Sequence, residues 1–272
     1  MRLTLVIVRH GETDANRNHI MQGHSEWPLN ELGLQQARAA GKRLENTKFD
    51  LTFTSDLGRA KQTCSQIVQS NLAELKVAED ALLRERNFGV LEGRPGTEYD
   101  AIAKVQGVTR LQAVIVDAET TSQVRSRCRT FCEHLETKIQ NLIATKHSAL
   151  PSTKDCPENT DLYSNDVSSS PENISILIVT HGGWIRQCLY HFRALSRHKS
   201  VSKLDDKYFP NKFANCGMTV LEIPLLLHYE KWSFDVTSVN FVNVDDDSHI
   251  RYHCYKHDRL RLKEGTISDE TN

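Results

Sequence analysis

The sequence carries no excess of charge of either sign. Its 272 residues include 34 lysines and arginines against 35 aspartates and glutamates, which gives a formal net charge of −1 at pH 7. This balance argues against a strongly basic nucleic-acid-binding protein and against a polyacidic tail protein, although it is compatible with a local basic pocket. We therefore expect no nucleic acid among the partners of this chain.

Long apolar runs and closely spaced cysteine pairs are also missing. No hydrophobic stretch approaches the roughly 18 residues that a membrane span needs, and residues 1–8 are too short for the core of a signal peptide. The seven cysteines are an odd number and include no CxxC pair, which favours free thiols in a reducing compartment. We therefore expect a cytoplasmic protein that does not engage a membrane.

The sequence does contain an alternation of strand-like and helix-like segments. Its 39% hydrophobic and 25% charged residues are typical of a folded globular protein. Short apolar runs predict strands at residues 3–8, 49–55, 174–180, 218–223 and 234–242, and helical periodicity predicts helices at residues 30–44, 56–70, 121–146 and 184–192. This pattern predicts an α/β fold with a mostly parallel central sheet and helices on both faces. The last two strands are expected to be antiparallel or at a sheet edge.

Two segments differ in composition from the rest. Between residues 147 and 173, serine, asparagine, aspartate, proline and threonine dominate, which predicts a mobile polar surface insertion. Residues 263–272 are predicted to be a frayed C-terminal tail. Residues 1–262, the insertion included, are expected to form a single domain, because the candidate site joins His10 to His181, 171 positions later.

The first candidate motif begins where the first strand ends and reads Arg9-His10-Gly11-Glu12-Thr13, followed by Asn16. Side chains at the carboxyl end of a parallel strand face the crevice in which such sheets bind ligands. A neutral histidine nitrogen there can act as a nucleophile, and an adjacent arginine can hold an anion. The alternative interpretation is a strand end with ordinary surface charges.

A second histidine has the same context. Residues 174–180 run into His181-Gly182-Gly183, after which a helix is predicted. His10 and His181 can converge only if their two strands are neighbours in the sheet. In isolation His181 could equally cap the following helix, but together with His10 it predicts a shared site.

Arg59 and Glu85 complete the candidate set. Arg59 lies in the first turn of the predicted helix at residues 56–70, where free backbone N–H groups and the helix dipole favour anions. Glu85 lies between two arginines, and negative charge on a bound ligand would favour its protonated form, so it could serve as a general acid. Glu92 and Glu98 are alternative acids nearby.

Together these segments resemble the histidine phosphatase superfamily, in its phosphoglycerate-mutase-like branch. The matching residues are Arg9-His10-Gly11-Glu12-Thr13 with Asn16, Gln22-Gly23, Pro28-Leu29-Asn30 through Gly33, Ser55 to Thr63, Glu85 to Gly93, and His181-Gly182. They extend from the first strand past residue 181, so the resemblance covers most of the chain. It implies a phosphoglycerate-mutase-like fold.

The resemblance also implies a role for each site residue. His10 would take the phosphoryl group as a phosphohistidine that water then hydrolyses, and Glu85 would protonate the leaving hydroxyl and then help to activate water. The transferred phosphate would be bound by Arg9, Asn16, Arg59 and the catalytic His181. Further substrate contacts are expected from Thr13, Gln22, Gly23, Arg86 and Gly182. This chemistry needs no metal and no cofactor.

Within the branch, the sequence is most similar to fructose-2,6-bisphosphatase-like regulators of glycolysis and apoptosis. The similarity lies in Leu83-Arg84-Glu85-Arg86, in the position of the polar insertion and in Asn215-Cys216-Gly217-Met218. It implies hydrolysis of fructose 2,6-bisphosphate, with fructose 1,6-bisphosphate as a further substrate, and a nuclear or mitochondrial location besides the cytoplasm. The sequence departs from relatives at Ala118-Glu119-Thr120, where they usually begin with glycine. Alanine adopts positive φ less readily, so the conformation of this loop is left open.

Other functions compete with this interpretation. His10, His181 and Glu85 could form a His₂Glu zinc site, although Arg9 and Arg59 would repel the cation. The same nucleophile and acid would serve a phosphoglycerate mutase, a 2,3-bisphosphoglycerate phosphatase or a broad phosphatase of small metabolites. A regulatory binding module that keeps a phosphatase-like fold is the non-enzymatic alternative.

Overall fold

A computed structural model of the chain describes residues 2–148, 173–195, 213–228, 231–234, 238–242 and 249–253. The predicted C-terminal tail at residues 263–272 lies outside these ranges, as does the predicted insertion at residues 147–173 except for its first two residues and its last one. The expectations of a mobile insertion, a frayed tail and a single domain therefore stay predictions.

The described residues form eight strands, six α-helices and two short 3₁₀-helices at Ala81–Leu83 and Gly89–Leu91. The strands are β1 (Arg2–Arg9), β2 (Leu51–Thr54), β3 (Val77–Glu79), β4 (Ile174–Thr180), β5 (Met218–His228), β6 (Lys231–Phe234), β7 (Ser238–Val242) and β8 (His249–His253). The helices are α1 (Asp14–Arg17), α2 (Glu31–Leu44), α3 (Gly58–Ser70), α4 (Gly96–Val105), α5 (Thr121–Ser148) and α6 (Gly182–Leu195). None of these helices has the length and apolar character that crossing a bilayer would require.

The strands form one sheet in the order β3-β2-β4-β1-β5-β7-β8, with β6 paired to β5. Strands β3, β2, β4 and β1 are parallel, and β5 and β7 extend the sheet as antiparallel strands. In the β1–β4 register Arg9 lies opposite Thr180, so His10 and His181 leave the sheet side by side. The predicted α/β architecture and the antiparallel arrangement of the late strands are confirmed.

Helices cover both faces of the sheet because successive side chains of a strand point to opposite sides. Leu3, Leu5 and Ile7 of β1 pack with α5 and α6 in one core cluster. Val6 and Val8 pack with α2 and α3 in another. The two layers hold the carboxyl ends of β1, β2 and β4 in fixed positions.

Local sequence explains where the helices begin. The side chain of Asn30 accepts a hydrogen bond from the Gly33 N–H at 2.8 Å and caps α2 at its predicted start. This bond satisfies one of the backbone donors that a helix N-terminus otherwise leaves free. The predicted apolar stripe of α5 is likewise buried at Val124, Cys128, Phe131, Leu135 and Ile139.

The loop in which the sequence departs from its relatives adopts an ordinary backbone at the substituted residue. The positive φ in this loop, 58°, belongs to Asp117 and not to Ala118. Ala118 instead pairs with Phe88 in an isolated β-bridge. The alanine therefore requires no strained conformation, which answers the question that the sequence left open.

Candidate active site

The candidate site lies at the carboxyl ends of β1 and β4. The rings of His10 and His181 have their centroids 5.1 Å apart, with an interplanar angle of 55°. Both side chains are buried, with 2% of His10 and none of His181 exposed. A bond from the His10 N–H to the Thr180 carbonyl, 2.9 Å long, ties the two strand ends together. The predicted convergence of the two histidines is what the structure shows.

The hydrogen bonds of His10 fix which nitrogen is free. Its Nδ1 lies 2.7 Å from the Gly11 carbonyl oxygen, which can only accept, so Nδ1 must carry the proton. Burial lowers the pKa of His10 well below its usual value of 6.5, and the positive charges of Arg59 and Arg9 lower it further. The neutral ring thus has its lone pair on Nε2, for which the described residues supply no hydrogen-bond partner.

His181 is oriented by a hydroxyl. Its Nε2 lies 2.9 Å from Ser55 Oγ. The Ser55 hydroxyl can accept the Leu57 N–H and still donate its own proton, and we assign that proton to His181 Nε2. Burial, followed by the charge of Arg59, lowers the pKa of His181 well below 6.5. A neutral His181 then carries its proton on Nδ1, which is buried and has no partner among the described residues.

Arg59 is held by backbone carbonyls. Its Nη1 donates to the Ser25 carbonyl at 3.0 Å and its Nη2 to the Gly23 carbonyl at 2.7 Å. Burial lowers the pKa of this fully buried side chain to about 10. Gly23 has a φ of 54°, and a Cβ there would lie 2.0 Å from Glu92 Oε1, so the loop that receives Arg59 requires glycine.

Arg9 is anchored in a similar way. Its Nη1 donates to the Phe213 carbonyl at 2.6 Å and to Asn215 Oδ1 at 3.2 Å. Burial lowers the pKa of Arg9 as well. A Cβ at Gly182 would lie 3.6 Å from Arg9 Nε, so the start of α6 passes close to this guanidinium.

Asn16 is positioned by its neighbours. Its Oδ1 accepts hydrogen bonds from the Thr13 N–H and from Asn215 Nδ2, both at 3.2 Å. These bonds turn the amide so that Nδ2, a donor, has no partner in the described part of the chain. Thr13 is fully buried and caps α1 through the Asn16 N–H, so Thr13 acts on the site by orienting Asn16.

Glu85 closes the site from the loop that precedes α4. Its carboxylate accepts hydrogen bonds from the Arg86 N–H at 2.8 Å and from the Gly183 N–H at 3.1 Å. A Cβ at Gly183 would lie only 2.1 Å from Glu85 Oε1, so this approach requires glycine. Its negative charge stabilises the charged forms of both Arg9 and Arg59.

The two alternative acids have other partners. Glu92 Oε1 accepts bonds from the His24 N–H at 2.8 Å and from the Phe88 N–H at 3.1 Å, and so organises its own loop. Glu98 of α4 pairs with Arg94, which precedes the helix, at 3.2 Å. Neither carboxylate has the contact with the start of α6 that Glu85 makes.

Arg86 and Gln22, two further residues predicted to contact the substrate, bond to other residues of the protein. Arg86 donates through Nε to the Glu119 carbonyl at 2.6 Å and through Nη1 to the Tyr99 hydroxyl at 2.7 Å. The Gln22 carbonyl accepts from Ser25, while its buried Oε1 has no partner among the described residues. Arg86 nevertheless lines a cavity of about 220 Å³ that begins at Glu85.

Three positioning residues had no role assigned from the sequence, although Ser55 and Asn215 lie in segments that carry the resemblance. Ser55 follows β2, the strand beside β4, so its place at a third strand end was a usable signal. Asn215 bridges Arg9, Asn16 and the His10 carbonyl. Arg127 of α5 donates to the Arg84 and Glu85 carbonyls at 2.7 and 2.8 Å, and no local pattern indicated that role.

The electrostatic character of the site follows from this geometry. Arg9 Nε, Arg59 Nε and His181 Nδ1 are buried nitrogens without a partner among the described residues, and all three belong to side chains that interact with His10 or Glu85. Buried donors of this kind are costly unless a ligand satisfies them, and these are suited to an oxyanion. The donor atoms of His10, His181 and Glu85 do not come together as one metal-ligand set.

Comparisons with known proteins agree with this geometry. Residues 5–151 match the Histidine phosphatase superfamily (branch 1). The chain is 32% identical over 249 residues to the fructose-2,6-bisphosphatase TIGAR of Bos taurus, covering 85% of this chain and 90% of that protein. A 2,3-bisphosphoglycerate-dependent phosphoglycerate mutase of Allorhizobium ampelinum is 44% identical over 94 residues, which are 33% of this chain and 44% of the mutase. The crystal structure of a Bacillus anthracis phosphoglycerate mutase shares the fold with a TM-score of 0.59 at 24% identity, over 81% of this chain and 88% of that one.

Proposed function

The chain belongs to branch 1 of the histidine phosphatase superfamily, and we propose that it is a phosphoric monoester hydrolase that works through a phosphohistidine at His10. Its substrate in this proposal is fructose 2,6-bisphosphate, and its action lowers glycolytic flux. The enzyme would work in the cytoplasm, in keeping with five free cysteines among the described residues.

One observation carries the proposal: buried nitrogen donors without partners surround a neutral histidine nucleophile. Arg9 Nε, Arg59 Nε and His181 Nδ1 would each meet an oxygen of the transferred phosphoryl group, and Asn16 Nδ2 would add a fourth donor. Phosphoryl transfer depends on positioning and on stabilising the charge of the equatorial oxygens. Because backbone carbonyls hold both guanidinium groups beforehand, little reorganisation is needed when the substrate binds.

The first chemical step uses the lone pair of His10 Nε2. That nitrogen attacks phosphorus while the bond from phosphorus to the sugar oxygen breaks, and the Gly11 carbonyl stabilises the positive charge that develops at Nδ1–H. Glu85 gives its proton to the leaving oxygen, so the sugar departs as an alcohol. The products of this step are a phosphohistidine and the Glu85 carboxylate.

The second step reverses these roles. Water attacks phosphorus, the P–N bond breaks and its electron pair returns to Nε2. Glu85 takes the proton of the water and is ready for the next cycle. Hydrogen bonds from Gly183 and Arg86 keep its carboxylate in place through both steps. One ester and one water thus become an alcohol and inorganic phosphate.

The cavity beside Glu85 supports a substrate with a second anionic group. It has a volume of about 220 Å³ and is lined in part by Arg86, Arg110 and Arg186. A sugar whose first phosphate lies on His10 would extend its ring toward these arginines. The similarity over most of the chain to a protein named fructose-2,6-bisphosphatase supports the same substrate.

The decisive experiment traps the phosphoenzyme. The protein is mixed with fructose 2,6-bisphosphate labelled at the 2-phosphate and quenched in alkaline detergent. The wild type should then carry label, and so should the control His134→Ala, because His134 is an exposed residue of α5. His10→Ala should carry none, and its turnover should fall by roughly 10⁴- to 10⁶-fold with a cooperative melt retained. Label on His10→Ala would overturn the proposal, and His10→Asn replaces that variant if it fails to fold.

A phosphoglycerate mutase is the second candidate, favoured by the 44% identity over 94 residues with the Allorhizobium enzyme. The two functions differ in whether the phosphohistidine meets water or a second substrate. Phosphate release from fructose 2,6-bisphosphate, measured beside 2,3-bisphosphoglycerate and 3-phosphoglycerate, separates them. Phosphoryl exchange without net release would assign the mutase reaction.

A further inference from the structure

A cluster of three thiols lies between α5 and α6, away from the strand ends that carry the candidate active site. The sulfur atoms of Cys128, Cys132 and Cys188 all lie within 4.8 Å of one another. Cys128 and Cys188 are buried, whereas Cys132 is partly exposed. Among the described residues, no other group of three or more histidine, cysteine or carboxylate side chains is placed so that it could hold a metal ion.

His191 adds a fourth donor to this cluster. It lies three residues after Cys188 on α6, and it lines the same cavity as Cys132. Cys128 and Cys132 are four residues apart on α5, so each helix presents two donors on one face. Three sulfurs and one imidazole nitrogen form a donor set that zinc prefers in closed tetrahedral sites.

The spacing of the sulfurs fits such an ion after a small contraction. With zinc–sulfur bonds of about 2.3 Å, tetrahedral geometry places sulfurs roughly 3.8 Å apart. The thiols, at up to 4.8 Å, would need to close by about one ångström or less. Rotation about the Cα–Cβ bond moves a sulfur that far without moving the helix.

The cluster is also accessible to an ion. A cavity of about 250 Å³ reaches Cys132 and His191, and its walls include two carboxylates, Glu133 and Glu136, against one cation, Arg129. Carboxylates along such a passage attract a cation, while Leu3 and Leu5 of β1 form an apolar part of the lining. Both leucines belong to the beginning of β1, so this cavity opens toward the end of the strand opposite His10.

We propose that Cys128, Cys132, Cys188 and His191 form a binding site for one zinc-class metal ion that joins α5 to α6. Each thiol gives its proton to solvent as its sulfur binds, so binding is coupled to proton release. The proposal does not depend on the phosphatase function, because none of the four residues belongs to the candidate active site.

Cobalt(II) provides the test, since thiolate ligands give it a near-ultraviolet charge-transfer band and tetrahedral geometry gives it intense visible bands. Reduced full-length protein, titrated without oxygen, should bind one cobalt ion per chain, and added zinc should remove both signals. Cys132→Ala should lose the charge-transfer band. The matched control, Cys64→Ala, removes a buried thiol of α3 outside the cluster and should keep it.

Two further variants separate the possible failures. If Cys132→Ala does not fold, His191→Gln, at a partly exposed position, should weaken cobalt binding and shift the visible bands. His10→Ala should bind cobalt as the wild type does, whatever its activity. Absence of the charge-transfer band in the reduced wild type, or equal bands in Cys132→Ala and Cys64→Ala, would overturn the proposal. The proposal would also be overturned if the reduced protein bound no metal and two of these thiols formed a disulfide on oxidation.

Discussion

The described part of the chain buries two clusters of ionisable side chains, which differ in the chemical groups that they offer to a ligand. Around His10, the guanidinium groups of Arg9 and Arg59 are anchored by backbone carbonyls and keep further nitrogens without partners. Between α5 and α6, thiols instead contact one another within an apolar core cluster. The first arrangement offers N–H hydrogen-bond donors to an anion, and the second offers soft thiolate ligands to a metal cation.

The two clusters also differ in the backbone that carries them. The candidate active site around His10, called the anion site below for the ligand that we propose, is formed where β1, β2 and β4 end, so loops supply backbone donors and carbonyls beside each side chain. The thiol cluster lies within helices, where backbone groups are already paired. Specificity at the first site therefore comes from backbone and side chain together, whereas the second depends on side chains alone.

Neutralising Glu85 of the anion site should have the largest effect of the changes considered below. Glu85→Gln keeps one oxygen, which can accept from the Arg86 N–H or from the Gly183 N–H but not from both, and its amide has no acidic proton to give. Turnover of fructose 2,6-bisphosphate should fall by roughly 10²- to 10⁴-fold, whereas aryl phosphates with good leaving groups should lose far less. Parallel steady-state assays on both substrates measure this difference.

The control for that measurement is the carboxylate that organises a neighbouring loop. Glu92→Gln removes charge from the acceptor of the His24 and Phe88 N–H groups, so it should change the melting temperature without selecting between the two leaving groups. Equal losses of Glu85→Gln on both substrates would move the acid role to another residue.

Sequence patterns predicted the parts of this molecule that are local along the chain. Arg9-His10 and His181 each stand at the end of an apolar strand, so their place at the carboxyl ends of the strands could be inferred from periodicity alone. Asn30 as the N-cap of α2 was visible in the same way. The antiparallel continuation beyond β1 was predicted only as one of two options, because strand order depends on long-range packing.

The residues that sequence reasoning missed act across long separations. Arg127 of α5 donates to the carbonyl of Glu85, a loop residue 42 positions away, and an arginine on a helix has no distinguishing sequence pattern. Cys128 was read as part of an apolar stripe, since a buried cysteine packs like a small hydrophobic residue. Its sulfur lies close to that of Cys188, which belongs to a different helix, and this proximity arises only when α5 and α6 pack together.

Removing the hydroxyl that orients His181 should have a smaller effect than losing the acid. Ser55→Ala leaves His181 Nε2 without its 2.9 Å partner, so the protonated Nδ1 is no longer enforced. The loss of one such bond corresponds to roughly a tenfold decrease in kcat. Ser65→Ala, at an exposed position of α3, is the matched control and should keep the wild-type kcat.

A purely structural role for Ser55 would give a different result. In that case Ser55→Ala would lower the melting temperature while kcat at a temperature well below the melt stayed at the wild-type value. Ser55→Thr retains a hydroxyl and should recover part of kcat, whereas the structural alternative predicts no such recovery.

The anion site should also make the free protein sensitive to acid. The pKa values of His10 and His181 are lowered well below 6.5 in the folded state, so the unfolded chain takes up protons first as the pH falls. Stability from these two groups is therefore complete above pH 6.5 and decreases below it, with each unit of pKa shift worth about 1.4 kcal/mol. Urea midpoints from pH 8 to pH 5 measure this loss, and it should be smaller in His10→Ala. Midpoints that stay constant down to pH 5 would contradict it.

A chelator should have the smallest effect on turnover, and this result would show that the two clusters act independently. EDTA should strip any ion from Cys128, Cys132, Cys188 and His191 while phosphate release from fructose 2,6-bisphosphate stays unchanged. The reason is that the proposed transition state is held by N–H donors on Arg9, Arg59 and His181, and Cys188 lies about 9 Å along α6 from the start of the helix at Gly182. Assays with and without EDTA, run beside thiol titration under the same conditions, follow both clusters at once. Inhibition that added zinc reverses would mean that the metal acts in the phosphatase reaction and that the two clusters are not independent.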